Sequence, residues 1–252
     1  MLKTILSCLL LSGTLAVSGQ NQLDEQGRKS GHWKVDYPNG RTLYEADFME
    51  GRPVGEMIRY YESGAVKARM EFDATGVRSY ARMFYKNGQP AAKGWFVEKV
   101  KDSVWTYYSS FDGSVRIREP YMNGKLQGMA RNYYTSRQIS EEVEWENNKK
   151  QGTWKQYYTT GAPRLSAHYN NDQLNGTYEV YYADGHIKIK GEYLNNRSHG
   201  TWSYFDDSGK MVISLEFLNG IPVDKEKHDQ WIQDTLEKYQ EISIPESFQD
   251  LQ

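Results

Sequence analysis

Cysteine is almost missing from this chain: Cys8 is the single one in 252 residues. No internal disulfide and no cysteine-built metal cage can therefore form. Excess basic charge is missing too, with 31 Lys and Arg against 33 Asp and Glu and a net charge of −2. A nucleic-acid or anionic-membrane partner would need a basic patch or stripe, so no nucleic-acid partner is expected. The longest apolar run, Ile5 to Val17, is too short and too rich in Ser, Gly and Thr to cross a bilayer, so no transmembrane segment is expected. Catalytic signatures are also absent. The histidines His32, His168, His186, His199 and His228 make no His-x-x-x-His pattern, and there is no Gly-x-Ser-x-Gly elbow or phosphate-cradling glycine loop. The sequence thus predicts no enzyme, no cofactor and no metal.

Residues 1–19 have the layout of a secretory signal peptide. Lys3 gives the positive start, the short apolar stretch follows, and Val17-Ser18-Gly19 supplies small residues before Gln20. A lipoprotein reading through Cys8 would leave only seven residues ahead of the lipidated cysteine, too few for an apolar core. The expected location is periplasmic, cell-surface or secreted, after cleavage near Gly19/Gln20.

What is abundant is aromatic: 20 Tyr, 7 Trp and 8 Phe against a hydrophobic fraction of only 38%. They recur in register. One column reads Phe48, Phe72, Phe96, Tyr121, Trp145, Tyr169, Tyr193 and Phe217, with spacings of 24 residues and one of 25. An aromatic pair precedes six of the turns, as in Tyr60-Tyr61, Tyr157-Tyr158 and Tyr181-Tyr182. The turn itself carries Gly40, Gly64, Gly88, Gly113, Gly161, Gly185 and Gly209, with Arg137 in the fifth repeat. A fixed period in this range means a repeat architecture. Inside each repeat the period is two, as in Ile187-Lys188-Ile189-Lys190-Gly191-Glu192-Tyr193, which marks strands with one buried face. Tyr-Pro-Asn-Gly and Tyr-Ala-Asp-Gly fit type I turns closed by a left-handed glycine. A second turn, such as Asn123-Gly124 or Asn219-Gly220, joins one repeat to the next.

The expected organisation is a signal peptide (1–19), a polar lead-in (20–30), eight β-hairpins of about 24 residues (31–220) and a C-terminal capping helix and tail (221–252). The fold class is all-β: tandem hairpins forming one elongated, twisted antiparallel meander sheet, with a short C-terminal helix. In that helix Ile232, Leu236 and Tyr239 share a stripe, with Trp231 beside it, and Ser243 to Gln252 are expected to be loosely ordered. The stretch Gly76 to Ser103 is the least regular, with Ser79 in place of the leading glycine. The extra residue near Phe111-Asp112-Gly113 reads as a bulge or longer turn.

The pattern Gly-x-Trp-x-x-Tyr-Tyr-x-x-Gly, followed by an acidic or His residue, an aromatic and Asn-Gly, resembles the MORN-variant repeat over about residues 31–220. That resemblance implies a hairpin scaffold with protein contacts or self-association, and it brings the label of a YwqK-type antitoxin. A weaker likeness, to choline- and glucan-binding hairpin repeats, implies ligand recognition by aromatics between hairpins.

Adjacent strand residues point to opposite faces, so the two members of each aromatic pair must part. If the bulged turn sets the register, the first member joins the Phe48-to-Phe217 column. Tyr61, Tyr85, Tyr134, Tyr158 and Tyr182 then line the other face with Trp154 and Trp202, while Tyr107 shares the parity of Trp105. These eight candidates, Tyr61, Tyr85, Tyr107, Tyr134, Trp154, Tyr158, Tyr182 and Trp202, would form a contact row for a protein partner or, alternatively, a cell-surface glycan. The structural alternative is that both faces are covered and the row stiffens the sheet. The acidic column Asp47, Glu71, Glu144, Glu192 and Glu216 recurs once per repeat, which marks a solvated face rather than paired catalytic carboxylates.

Overall fold

The computed structural model describes residues 20–243. The signal-like segment 1–19 and the tail 244–252 lie outside them, and so do the side chains of 238–243. The chain divides into two compact units, 1–88 and 89–252.

In the first unit, β1 (Gln22–Leu23), β2 (Lys29–Asp36), β3 (Thr42–Met49), β4 (Arg52–Tyr60), β5 (Val66–Phe72) and β6 (Arg78–Phe84) pair antiparallel, each with the next. The second unit begins with β7 (Pro90–Val97), β8 (Val100–Tyr108), β9 (Val115–Met122), β10 (Lys125–Leu126), β11 (Gly128–Tyr133) and β12 (Ile139–Glu146). It continues with β13 (Lys149–Tyr157), β14 (Pro163–Asn170), β15 (Gln173–Tyr181), β16 (Ile187–Leu194), β17 (Arg197–Phe205), β18 (Met211–Leu218) and β19 (Ile221–Pro222), and ends in α1 (Lys225–Ser243). Here too consecutive strands pair antiparallel, with β10 and β11 both lying against β9. Each unit is an antiparallel meander, as the period-two patterning predicts.

The expected columns align from hairpin to hairpin. The leading glycine lies opposite the column aromatic at Gly31↔Phe48, Gly55↔Phe72, Gly152↔Tyr169, Gly176↔Tyr193 and Gly200↔Phe217. Gly152 takes φ +77° at an irregularity where Val143↔Trp154 gives way to Trp145↔Lys150. An extra residue in one strand requires such a backbone, which costs glycine little. The third repeat dispenses with it: buried Ser79 pairs with Phe72 without any register shift.

Both turn types form. In the sixth hairpin, Tyr158 N donates to Ala162 O at 2.8 Å, and Gly161 N, at φ +88°, donates to Tyr158 O. Arg137 adopts φ +71° in the equivalent place. Every inter-repeat turn but that at Asp73–Arg78 has positive φ at two successive residues, as at Asn195 (52°) and Asn196 (66°), the combination that favours Asn and Gly. Asn148, Asp172 and Asn196 also accept, through Oδ1, the backbone N–H of Leu126, Lys150 and Leu174 at 2.7, 2.7 and 2.6 Å. Each such turn is thereby tied to the one before it. In the fourth repeat the extra residue lengthens the Ser109–Ser114 turn and puts Phe111 at its fully solvated tip.

In each unit the core occupies one face of the sheet. Ala46, Ala68, Val143, Leu165, Ala167 and Leu215 are buried there beside the aromatic column. A tryptophan lies over a small residue of the preceding strand: Trp202 over Gly191 and Trp105 over Gly94, so close that a Cβ on either glycine would come within 2.3 or 2.4 Å of ring carbon atoms. Their indole N–H groups donate to the carbonyls of Glu192 (3.1 Å) and Trp95 (2.9 Å). At these places the sheet builds its interior by laying large rings on small neighbours.

The helix departs from the expected stripe. Trp231 packs on Tyr204 (ring centroids 4.5 Å) and His228 on Phe217 (5.9 Å), while Ile232 and Leu236 face solvent. The spacing 228, 231, 235 is as helical as 232, 236, and the larger aromatic takes the inner position. The side chain of Tyr239 lies outside the described residues. α1 rests on the column face instead of closing the strand edge. That edge is blunted by β19, by Val223 N bonding Glu216 O (2.9 Å) and by Lys227 Nζ bonding Ser214 O (2.8 Å).

Candidate functional site

The turn sets which face each aromatic takes, and it corrects the expected assignment. In the sixth hairpin Gln156 pairs with Leu165 but Tyr157 pairs with Pro163, so Arg164 is skipped. Equivalent skips occur at Leu43, Lys67, Arg116, Ser140, Lys188 and Val212. The skipped residue exchanges parity, and Gln156, not Tyr157, continues the column face.

Two consequences follow. First, Trp154 and Trp202 lie on the same face as the column, not opposite it. Trp154 pairs with Ala167 and touches Tyr169 (5.4 Å), and Trp202 touches Tyr193 (5.0 Å) and Phe217 (6.3 Å). Tyr107 does share the parity of Trp105, but on the column face, beside Tyr121. Second, the first pair members face the other way. The hydroxyls of Tyr60, Tyr157 and Tyr181 donate to Glu45, Glu142 (2.8 Å) and Glu179 (2.5 Å) on the opposite face. There Arg131 and Lys190 complete ion pairs with Glu142 and Glu179 at 2.8 and 3.2 Å.

Burial and these carboxylates push the Tyr60, Tyr157 and Tyr181 phenols up to about 12. The Tyr181 hydroxyl, outweighing burial, holds Glu179 below the ordinary carboxylate range. Burial would raise Glu142, but the bonds from Tyr157 and Arg131 overcome it.

The second pair members have a role that the sequence reading missed. Tyr61, Tyr134, Tyr158 and Tyr182 donate their hydroxyls to the backbone carbonyls of Phe84, Tyr157, Tyr181 and Phe205 at 2.8, 2.6, 2.6 and 2.9 Å. Tyr37 does the same to Tyr60 at 2.9 Å. Each bond spans 23 residues, so these tyrosines clasp one repeat to the next along the turn edge. The signal was present as a 24-residue column of tyrosines directly before the turn. Of the eight candidates, Trp202 is buried and the other seven, Tyr85 and Tyr107 included, are half-buried. They do not form one exposed stacking row.

The acidic column Asp47, Glu71, Glu144, Glu192 and Glu216 is exposed throughout, as expected of a solvated face. His32 and Arg82 approach Asp47 and Glu71 at 3.0 and 3.1 Å.

On the column face, outside the buried core, Tyr121, Trp145, Tyr169 and Tyr193 are half-exposed. The chain's own cations already use that face. Lys101 Nζ stands 5.2, 5.1 and 4.7 Å from the Trp105, Tyr107 and Tyr121 ring centres, and Lys150 Nζ stands 5.0 Å from that of Tyr169. Where α1 crosses the same face, a groove of about 770 Å³ is lined by Ile189, Tyr204, Ile213 and Trp231, with Lys188 and Asp206 at its rim. Among the described residues, no helix is long and apolar enough to cross a membrane.

A search of curated proteins finds no match to the chain. The family model described as the MORN repeat variant matches residues 53–74, 150–171, 174–195 and 198–219. Each matched segment starts two residues before a leading glycine and ends at an inter-repeat turn. The first, third, fourth and fifth repeats are unmatched; the last three of these have Ser79, Ser103 and Arg137 at glycine positions, while the first keeps Gly31 and Gly40. Four hairpins of the chain thus match the MORN repeat variant.

Proposed function

We propose that this chain is an exported, non-enzymatic repeat scaffold whose column face docks a protein partner bearing an amphipathic helix. The observation that supports this reading is the chain's own α1, which seats Trp231 on Tyr204 and His228 on Phe217. Earlier repeats of the second unit present the same aromatic column half-exposed at Trp145, Tyr169 and Tyr193. Half-exposed aromatic rings on a rigid strand make good anchors, because they lose little entropy on contact. Export rests on residues 1–19 alone, and the antitoxin label finds no support in a family description that names a repeat and no partner.

The test places a photo-crosslinking amino acid at Trp145 on the column face and, separately, at exposed His168 on the opposite face, in cells that export the chain. A discrete adduct from position 145 and none from 168 is expected. An adduct from 168 alone, or from neither, would sink the reading. An adduct with a second copy of this chain would identify the partner as itself.

A further inference from the structure

Strand pairing lays one residue of each strand in a continuous row across the column face of the second unit. From Leu165 through Val180, Ile189 and Tyr204 to Ile213 it is apolar or aromatic, and on its other flank it continues through Ile117 and Tyr107. Three successive members break it: Asn132, Glu141 and Gln156, directly opposite one another on β11, β12 and β13. The Glu141 carboxylate accepts Asn132 Nδ2 (2.7 Å), Trp154 Nε1 (2.8 Å) and Gln156 Nε2 (3.1 Å). Arg164 Nη2 donates to Gln156 Oε1 at 2.5 Å.

A half-buried carboxylate in an apolar row lowers stability relative to the Ile or Leu that sibling hairpins carry there. Within the second unit these three positions alone break the row, while in the first unit a single charged residue, Arg59, stands in it between Tyr44 and Ala68. Three adjacent polar members that bond one another are the kind of local violation that marks a functional site. The chemistry of the group is specific. Planar amide, carboxylate and guanidinium forks lie side by side, Glu141 and Arg164 offset one another in charge, and a half-exposed indole borders them. Lys150, over the Tyr169 ring, adds a donor at the edge. Such forks suit pairs of neighbouring hydroxyls, and an indole face suits the C–H face of a sugar ring. We propose that Asn132, Glu141, Gln156 and Trp154 form a binding site for a saccharide unit, separate from the proposed protein-docking role.

The indole N–H of Trp154 reports on this site directly, because it is bonded to Glu141. Protein labelled with ¹⁵N at its seven tryptophans would be titrated with cello-, chito-, malto- and xylo-hexaose, with Trp154→Phe identifying the signal. At least one oligosaccharide should shift that signal. Glu141→Gln should weaken the response by about tenfold, the loss expected for a charge-assisted hydrogen bond. The triple change Asn132→Val, Glu141→Ile and Gln156→Val restores the apolar row; it should abolish the shift without lowering the melting temperature. No shift of the Trp154 signal with any of the four sugars overturns the proposal, and so does a shift that survives the triple change.

Discussion

The strands β11 to β13 and β15 to β17 have the same backbone plan and opposite interiors. In both, the leading glycine faces the column aromatic, and one residue is skipped after the turn. Yet Trp202 is buried over Gly191 with its N–H on a backbone carbonyl, while Trp154 lies against Ala167, half-buried, with its N–H on the Glu141 carboxylate. The backbone repeat therefore depends on few positions: the turn, the leading residue, the column aromatic and the clasps at each edge. Everything between them is free to be core in one hairpin and polar in the next. That freedom is what lets a repeat carry a site without ceasing to be a repeat.

The comparison breaks most readily at the two tryptophans. Trp202→Ala empties a buried indole position and should cost about 3–5 kcal/mol. Trp154→Ala, at a half-exposed site, should cost about 1–3 kcal/mol. Urea unfolding of each variant measures both, and equal losses would mean that the two interiors do not differ in kind.

The next largest effect concerns the opposite face, where both regions use the same device. Tyr157 and Tyr181 are pushed up to about 12 by burial and their carboxylate partners. A phenol whose folded pKa lies above its unfolded value of about 10 contributes stability that is complete below pH 10 and is lost as the pH rises toward 12. The melting temperature should hold to about pH 10 and fall between pH 10 and 12, with Tyr157→Phe flattening part of that fall. Full tyrosinate absorbance developing near pH 10 in protein that is still folded would contradict it.

Smaller again is the clasp. Tyr158→Phe leaves the ring and removes one hydroxyl-to-carbonyl bond, at a cost of about 1 kcal/mol. The loss should appear as faster amide exchange at the paired Tyr181 turn, one repeat away. A change confined to the sixth hairpin would mean that the hydroxyl does not couple repeats.

The repeat count, both turn types, the column and the solvated acidic row were legible because each is written by spacing or by turn chemistry. Facing was not. A residue skipped after the turn leaves no composition signal, yet it exchanges the parity of every residue before the turn, and so Trp154, Trp202 and the tyrosine pairs went to the wrong sides. The clasp hydroxyls were hidden for another reason: their acceptor is a backbone carbonyl, which no sequence pattern names. The polar row was in view as single letters, but Asn132, Glu141 and Gln156 lie on three strands, and only register brings them together. On the helix, two stripes were equally periodic, and the partner surface chose Trp231 over Ile232.

The smallest predicted effect separates the two faces at the level of one functional group. Glu192, in the exposed acidic column, has no side-chain partner among the described hydrogen bonds and ion pairs, so Glu192→Gln removes a solvated charge and little else. Its cost should stay within about 0.5 kcal/mol. The same substitution at Glu141 replaces one of the two oxygens shared by three donors and should cost about 1–3 kcal/mol. A measurable loss at Glu192 would mean that the acidic column carries load through a contact outside the chain, which would shift the search for a partner to the opposite face.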